Sequence, residues 1–478
     1  MTVGLVPQDL FIDGTWRAGS GQDRFPVLNP ATGEVVARFA DASVDDCRAA
    51  VDAAARASAP WAATSARDRS DILSAVSAEL RAQPDVLADI IVRENGKSWT
   101  DAVAEVRYSA EFFRWFAEEA VRVRGDYSAS PTGDKRVIVT HGPIGVSLLI
   151  TPWNFPAAMA ARKLAPALAA GCTTVLKPAI ETPLAAAHLT EMLHRAGAPA
   201  GVVNLVTPTE VGPAVSAMIH DPRVRKLSFT GSTAVGRHLL REAADQVVSC
   251  AMELGGNAPL IVLPGADVAA AVEGTIDAKL RNGGAACTAA DRLYVHDSLH
   301  DEFVRLLRER FATLTMGPGT DRGNHIGALV SEAEARKVAR LVADAVDDGA
   351  HLVLGETQRR SGCFYPPTIL TDVRHGSAIS ATEIFGPVAA IVRFADTGEA
   401  VRMANDAEYG LAAYVFGPEA EALRVAGHVD AGMVGVNIGR ISDPFAPFGG
   451  VKQSGLGREG GSVGIHEFLE EKYIALPA

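Results

Sequence analysis

A single cysteine, Cys287, stands in the stretch RNGGAACTAADRLYV with two glycines and two alanines before it. Lys279 and Arg281 fall in the last turn of a helix that Asn282 and Gly283 then stop. A thiol there has backbone room and a nearby cation, surroundings that favour a reactive thiolate. A lone cysteine is as readily an apolar filler. Other groups could complete a nucleophilic site. In ITPWNFP two prolines stiffen a turn that would hold the Asn154 amide as a fixed donor to an oxyanion. In AMELGGNAP, Glu253 ends an apolar run before Gly255 and Gly256, and desolvation there lifts a carboxyl toward the range of a general base. Arg162 and Arg281 would grip a carboxylate through charge-assisted bonds if both face one cavity. In KLSFTGSTAVGRHLL a strand ends at Thr230, Gly231 turns the chain and Ser232 opens a helix, whose free N–H groups favour an anion such as pyrophosphate. Each feature has a bland alternative: a capped turn, an edge carboxylate, a helix-end arginine.

Other chemistries lack their motifs. At the Gly231 turn Arg237-His238 replaces the Lys-Ser/Thr of a P-loop and no G-x-G-x-x-G fingerprint follows the strand; no H-E-x-x-H and no G-x-S-x-G elbow at a strand-to-helix turn is present, so neither a metalloprotease nor a serine-hydrolase site is expected. His188 and His194 share a helical stretch without a metal motif. The five cysteines are spread without a C-x-x-C pair, which argues against a disulfide framework or zinc ribbon and for a reducing cytoplasm. A formal charge of -12 argues against a nucleic-acid partner. The opening MTVGLVPQDLFIDGTW has no basic leader, and FPAAMAARKLAPALAAG carries Arg162 and Lys163 in its middle, so no signal peptide or membrane span is expected.

The elements that must position these groups follow from periodicity. At 478 residues two or three domains are expected. Residues 44–124 read as helices. SVDDCRAAVDAAARAS opens on a Ser cap, and RDRSDILSAVSAELRAQPDVLADIIVRENG is one helical run ending at Gly. From 137 short β-branched runs (GVSLLIT, CTTVLKP, VVNLVT, VRKLSFTG) alternate with amphipathic segments, the pattern of βαβ units and a parallel sheet. A second alternating set follows MELGGNAPLIVL, so two α/β domains meet near residue 254. DYSASPTGDKRVIVTHGPI reads as an extended excursion that could form an edge ribbon with the tail.

In order, TPWNFP, LKPAIETP, FTGST, MELGGNAP, the cysteine turn, EIFGPV and PFGGVKQSGLGREG resemble the aldehyde dehydrogenase superfamily, and the likeness runs over essentially the whole chain from LFIDGTW. RKLAPALAAGCTTVLKPA, VRKLSFTGST and GREGGSVGIHEFLEEKY are most similar to its succinate-semialdehyde dehydrogenase branch. The resemblance implies an α/β fold with a Rossmann-like cofactor domain (1–125 and 145–254), an α/β catalytic domain (255–450) and a β-ribbon for oligomerisation (126–144 and 462–478). It implies oxidation of a small-molecule aldehyde to an acid with NAD or NADP. Cys287 would attack the carbonyl, Asn154 and the Cys287 N–H would hold the oxyanion, and Glu253 would activate the hydrolytic water. Thr151, Pro152, Trp153, Lys177, Gly231, Ser232, Glu383 and Phe385 fall at cofactor-binding positions. Among them Lys177 would bind the adenosine ribose, Ser232 the pyrophosphate and Glu383 the nicotinamide ribose. Arg162, Arg281 and Ser442 match positions that bind a distal carboxylate, which points to succinic semialdehyde. An aromatic or longer semialdehyde is the alternative, and a non-catalytic binding protein of the same fold a more distant one. No metal, nucleic acid or membrane is implied, and a cytoplasmic homodimer or homotetramer is.

The chain departs from the family pattern in three places. Gly284-Ala285 replaces the usual Gly-Gln/Glu before the cysteine, and Ala289 stands where some relatives have a second thiol, so no regulatory disulfide is expected there. Ile180, with Glu181 next to it, replaces a glutamate common in NAD-preferring members, which leaves NADP open.

Overall fold

The computed structural model describes Gly4 and residues 6–357 and 362–478. Its first large sheet has eight strands, in the order Thr15–Arg17, Leu10–Ile12, Val203–Leu205, Thr174–Lys177, Val146–Ile150, Val224–Thr230, Ser249–Glu253 and Gly455–Leu456. The five strands from Val203–Leu205 to Ser249–Glu253 run parallel, and the pairings beyond them are antiparallel. Helices cover both faces, so the central strands are buried throughout and read as continuous apolar runs. The two-residue period divides them between two cores. Leu149 joins the helices Pro156–Ala170 and Pro183–Arg195, while Leu148 and Ile150 join Val44–Ala62 and Val211–Ile219.

Between Glu253 and Ala258 the chain passes to a second sheet. Its seven strands lie in the order His351–Leu354, Thr368–Thr371, Val388–Phe394, Ala290–His296, Ala258–Val262, Ala412–Phe416 and Met433–Val436. All are parallel except the antiparallel edge His351–Leu354. Glu253 therefore ends a strand of one sheet, and Cys287 precedes a strand of the other.

The helical run read over 67–96 is two helices, Ala66–Ala82 and Pro84–Asn95. Pro84 has no N–H to continue the first and bars helical backbone at Gln83, whose φ and ψ are −133° and 57°. The run still ends at Gly96, which takes φ 88°. Ser43 caps the first helix in a reciprocal box with Asp46. The excursion and the tail pair with each other: Leu469–Pro477 lies against Lys135–Pro143, which lies against Asp126–Ala129. Within the tail the strand starts at Leu469, and Gly464–Phe468 is a 3-10 turn whose Ile465 and Phe468 enter a core. Among the described residues no helix is long and apolar enough to cross a membrane.

Candidate active site

The cysteine turn is built by a left-handed reversal. After the helix Val268–Leu280 the chain passes Arg281, then Asn282 and Gly283 at φ 55° and 60°. Asn is among the residue types other than glycine that most often take this region. The Asn282 amide donates to the backbone oxygens of Asn154 (2.8 Å) and Ala285 (2.9 Å), tying the cysteine turn to the asparagine turn. Gly256 supports the turn from below, because a Cβ there would lie 2.2 Å from the Cys287 carbonyl oxygen. Cys287 is half-buried on the wall of a cavity of about 580 Å³. Its thiol is not the low-pKa group expected from a neighbouring cation. Burial pushes it up to about 12, helped by Glu383 and Glu253, and Arg162 and Arg281 only partly offset this.

Asn154 faces the same cavity. The prolines are a small part of what fixes it. Buried Lys97 donates to the Asn154 backbone oxygen at 2.8 Å, and the Asn154 side-chain oxygen accepts from the Phe155 N–H at 3.1 Å. One N–H of its amide reaches the Ala285 oxygen at 3.2 Å, and the other is left for the cavity. Lys97 is itself held by Glu105 at 2.6 Å, and Glu105 also accepts from Ala157 and Ala158 at the start of the next helix. The Cys287 backbone N–H has no acceptor among the described residues, so it and the second N–H of the Asn154 amide are two uncommitted donors at the cavity that Cys287 and Asn154 both line.

Glu253 is buried, and one of its oxygens, Oε2, has no hydrogen-bond partner among the described residues. Burial, then repulsion from Glu459, raises its pKa well above the ordinary carboxylate value. Glu459 is the pivot of a buried ion cluster. It pairs with Arg162 and Lys163, both at 2.5 Å, and Lys163 also donates to Ser228 at 2.9 Å. Burial works against the Glu459 charge, but Lys163 and Arg162 outweigh it and hold the carboxyl below its usual range. The backbone near Glu253 leaves it room, since a Cβ on Gly449 (φ 153°) would sit 2.8 Å from Glu253 Oε1.

Arg162, Arg281 and Ser442 line the cavity on the side of Tyr108 and Phe448. The two arginines differ. Arg162 lies 4.1 Å over the Phe448 ring and is engaged by Glu459. Arg281 stacks over Phe155 (4.7 Å) and Tyr108 (5.6 Å) and has no carboxylate partner among the described residues.

Thr151, Pro152, Trp153 and Lys177 line the opposite arm, with Gly231 and Ser232 at the start of the helix Thr233–Ala244. Glu383 and Phe385 close it. Phe385 meets Trp153 edge to face at 5.5 Å, and Glu383 accepts from the Gly256 N–H at 3.3 Å. Burial, with Asp291 adding to it, raises the Glu383 carboxyl to about 8. The arm has polar groups to spare: Thr151 Oγ1 and Thr230 Oγ1 are buried without a partner, and the buried Lys177 ammonium makes no hydrogen bond or ion pair with any described residue. Unpaired hydroxyls, a free cation and a helix N-terminus suit the ribose hydroxyls and diphosphate of a dinucleotide.

A family model, the aldehyde dehydrogenase family, matches residues 16–474. The chain belongs to this family. It is 44% identical over 474 residues to the NADP(+) succinate-semialdehyde dehydrogenase GabD of Escherichia coli K12, covering 99% of this chain and 98% of that protein. It is also 44% identical over 476 residues to a glutarate-semialdehyde dehydrogenase of Pseudomonas aeruginosa, with coverage of 99% and 98%. The crystal structure of succinate-semialdehyde dehydrogenase from Burkholderia pseudomallei matches with a TM-score of 0.97 at 43% identity, over 99% of each chain. The protein is thus an aldehyde dehydrogenase, an enzyme that oxidises an aldehyde with NAD or NADP through a catalytic cysteine.

Of the site residues named in this dehydrogenase from sequence, all but Glu253 line the one cavity, and Glu253 is buried next to the lining residues Leu254 and Gly255. Lys97, Glu105, Asn282 and Glu459 escaped the motif reading. Glu459 did leave a trace: two cations in the apolar helix Pro156–Ala170 require a buried anion.

Proposed function

We propose that this dehydrogenase oxidises succinic semialdehyde to succinate, with Cys287 as nucleophile, Asn154 as oxyanion donor and Glu253 as general base. The observation that carries the substrate is Arg281, a guanidinium that makes no ion pair with any described residue and lines the cavity that holds Cys287. An anion at the far end of the aldehyde would complete it, with Ser442 as a second donor and Arg162 adding charge from within its Glu459 pair.

Cys287 gives its thiol proton to water, and its Sγ then bonds to the aldehyde carbon as the carbonyl π electrons move to oxygen. The carbonyl oxygen becomes an oxyanion held by the Asn154 amide and the Cys287 N–H. When bound, NAD or NADP supplies the hydride acceptor; Lys177, Thr151, Ser232 and Glu383 are the residues that would hold it. The acyl group then remains on Cys287 as a thioester. Glu253 takes a proton from water, the resulting hydroxide adds to the thioester carbon, and the thiolate leaves as the acid forms.

Purified enzyme assayed with succinic semialdehyde and hexanal, each with NAD and with NADP, tests this reading. A kcat/KM for succinic semialdehyde at least tenfold above that for hexanal is expected. Arg281→Ala should lower only the former, by about 10–100-fold, the scale of a charged hydrogen bond. Equal turnover of hexanal would overturn the substrate assignment.

We also infer that the exposed ribbon joins subunits in a homodimer or homotetramer, because the outer edge of Asp126–Ala129 offers unpaired backbone groups. Sedimentation should then find no monomer at micromolar concentration. Five cysteines with no C-x-x-C pair suit a cytoplasmic location.

A further inference from the structure

The cavity does not end at Ser442. Tyr108 and Ser442 also line a second, outer hollow whose walls include Arg107, Trp115, Arg440 and Phe445. The outer groove thus shares two walls, Tyr108 and Ser442, with the cavity that holds Arg281. Arg440 lies two residues before Ser442 on the same loop, and its side chain is exposed in the groove. It makes no hydrogen bond and no ion pair with any described residue. Arg114 in the same groove is by contrast paired with both Glu111 and Glu118.

Arg440 and Arg281 feel each other. Burial, then repulsion from Arg281, lowers the Arg440 pKa, against the opposing pull of Asp277 and Asp101. Neither acid lies within ion-pair distance of Arg440. Neither guanidinium makes an ion pair with a described residue, and their mutual repulsion is a cost that an incoming anion relieves. The acids that line the groove itself are Glu111 and Glu118, already engaged by Arg114, and Asp443, whose carboxylate accepts from the Phe445 N–H.

We propose that Arg440 is a specificity-determining residue: it extends the anion subsite outward from Arg281 and favours aldehydes whose far end carries a carboxylate or similar anion over uncharged aldehydes. The inference rests on the proposed function and adds a residue to it. Arg440 lies outside the reaction centre, so its charge acts on the binding of the anionic end and leaves the chemical step alone. Its setting is wet, so salt screens it: the screening length is about 10 Å at 0.1 M and about 3 Å at 1 M.

The test is steady-state kinetics of Arg440→Gln and Arg440→Lys with succinic semialdehyde and with hexanal, at low and high salt. For Arg440→Gln at low salt, KM for succinic semialdehyde should rise about 3–10-fold, a surface-charge effect. Its kcat should stay within about twofold, and hexanal should be unaffected. The loss should shrink at high salt, and Arg440→Lys should restore most of it. An unchanged KM for succinic semialdehyde in Arg440→Gln, an equal loss with hexanal, or a loss that ignores salt would each overturn the proposal. The two readings fail separately. A wild-type enzyme indifferent between the two aldehydes sinks the proposed function, whereas a selective wild type with an unmoved Arg440→Gln sinks only the role of Arg440.

Discussion

Glu253→Gln should carry out one oxidation per active site and then stall. The variant keeps Cys287, Asn154 and the cofactor arm, so mixing with aldehyde and cofactor should release about one reduced nicotinamide per subunit in a burst. Steady-state turnover should then fall by ~10²–10⁴-fold, the usual contribution of a positioned general base. The pH dependence separates this from simple damage. Wild-type Glu253 must be ionised to take a proton from water, and burial with Glu459 beside it holds its pKa well above the ordinary range. The wild-type rate should therefore still be climbing at pH values where an ordinary glutamate is fully ionised, and the residual rate of the variant should lack that limb. Stability gives a second reading. A carboxyl with a raised folded pKa contributes stability that is full below the unfolded pKa and is lost as pH rises through the folded one. Gln cannot ionise, so the variant should gain on wild type as pH rises. A variant that shows no burst, or turns over at the wild-type rate, would remove Glu253 from the hydrolytic step.

The fold was legible where pattern and burial agree. GVSLLIT, CTTVLKP and VRKLSFTG are apolar throughout because their strands are covered on both faces, and alternation of such runs with helices leaves a parallel sheet as the only economical arrangement. The break at Pro84 was legible too, but the apolar periodicity that continues past it masked the local signal. The site was legible as types of residue and only partly as a mechanism. Cys287 with its neighbour Arg281, Asn154 and Glu253 come from three separate stretches, and no spacing in the chain dictates that they meet. The resemblance supplied that step. The environment of the thiol was misjudged, because Arg281 is visible beside Cys287 in sequence while the burial that dominates, and after it the carboxylates of Glu383 and Glu253, come only with the fold. Lys97 and Glu105 were invisible for the same reason: a lysine and a glutamate eight positions apart read as a solvated helix start until the fold buries both.

Glu459 should prove the most costly surface-free charge to remove. Glu459→Ala leaves Arg162 and Lys163 buried on one helix with no anion, and removal of one partner from such a cluster costs ~3–5 kcal/mol. The measurement is the urea unfolding midpoint of the apoenzyme, compared with wild type and with Glu459→Gln, which keeps the volume and the hydrogen-bonding oxygen. The sign of the pH dependence is fixed by the direction of the shift. Glu459 titrates below its usual range in the folded chain, so its contribution is present above the unfolded pKa and is lost as pH falls through the folded one. The gap between wild type and Glu459→Gln should accordingly be full at neutral pH and close on acidification. A second consequence tests the coupling to chemistry. Glu459 is the like charge that helps raise Glu253, and it also occupies the two cations that would otherwise lower it. In Glu459→Gln both effects turn the same way, so the acid limb of the hydrolytic rate should move to lower pH. Arg162 would at the same time lose its internal partner and become a stronger grip for the substrate carboxylate, lowering KM for succinic semialdehyde while leaving hexanal unchanged. An acid limb that stays in place in a folded Glu459→Gln would confine Glu459 to a structural part.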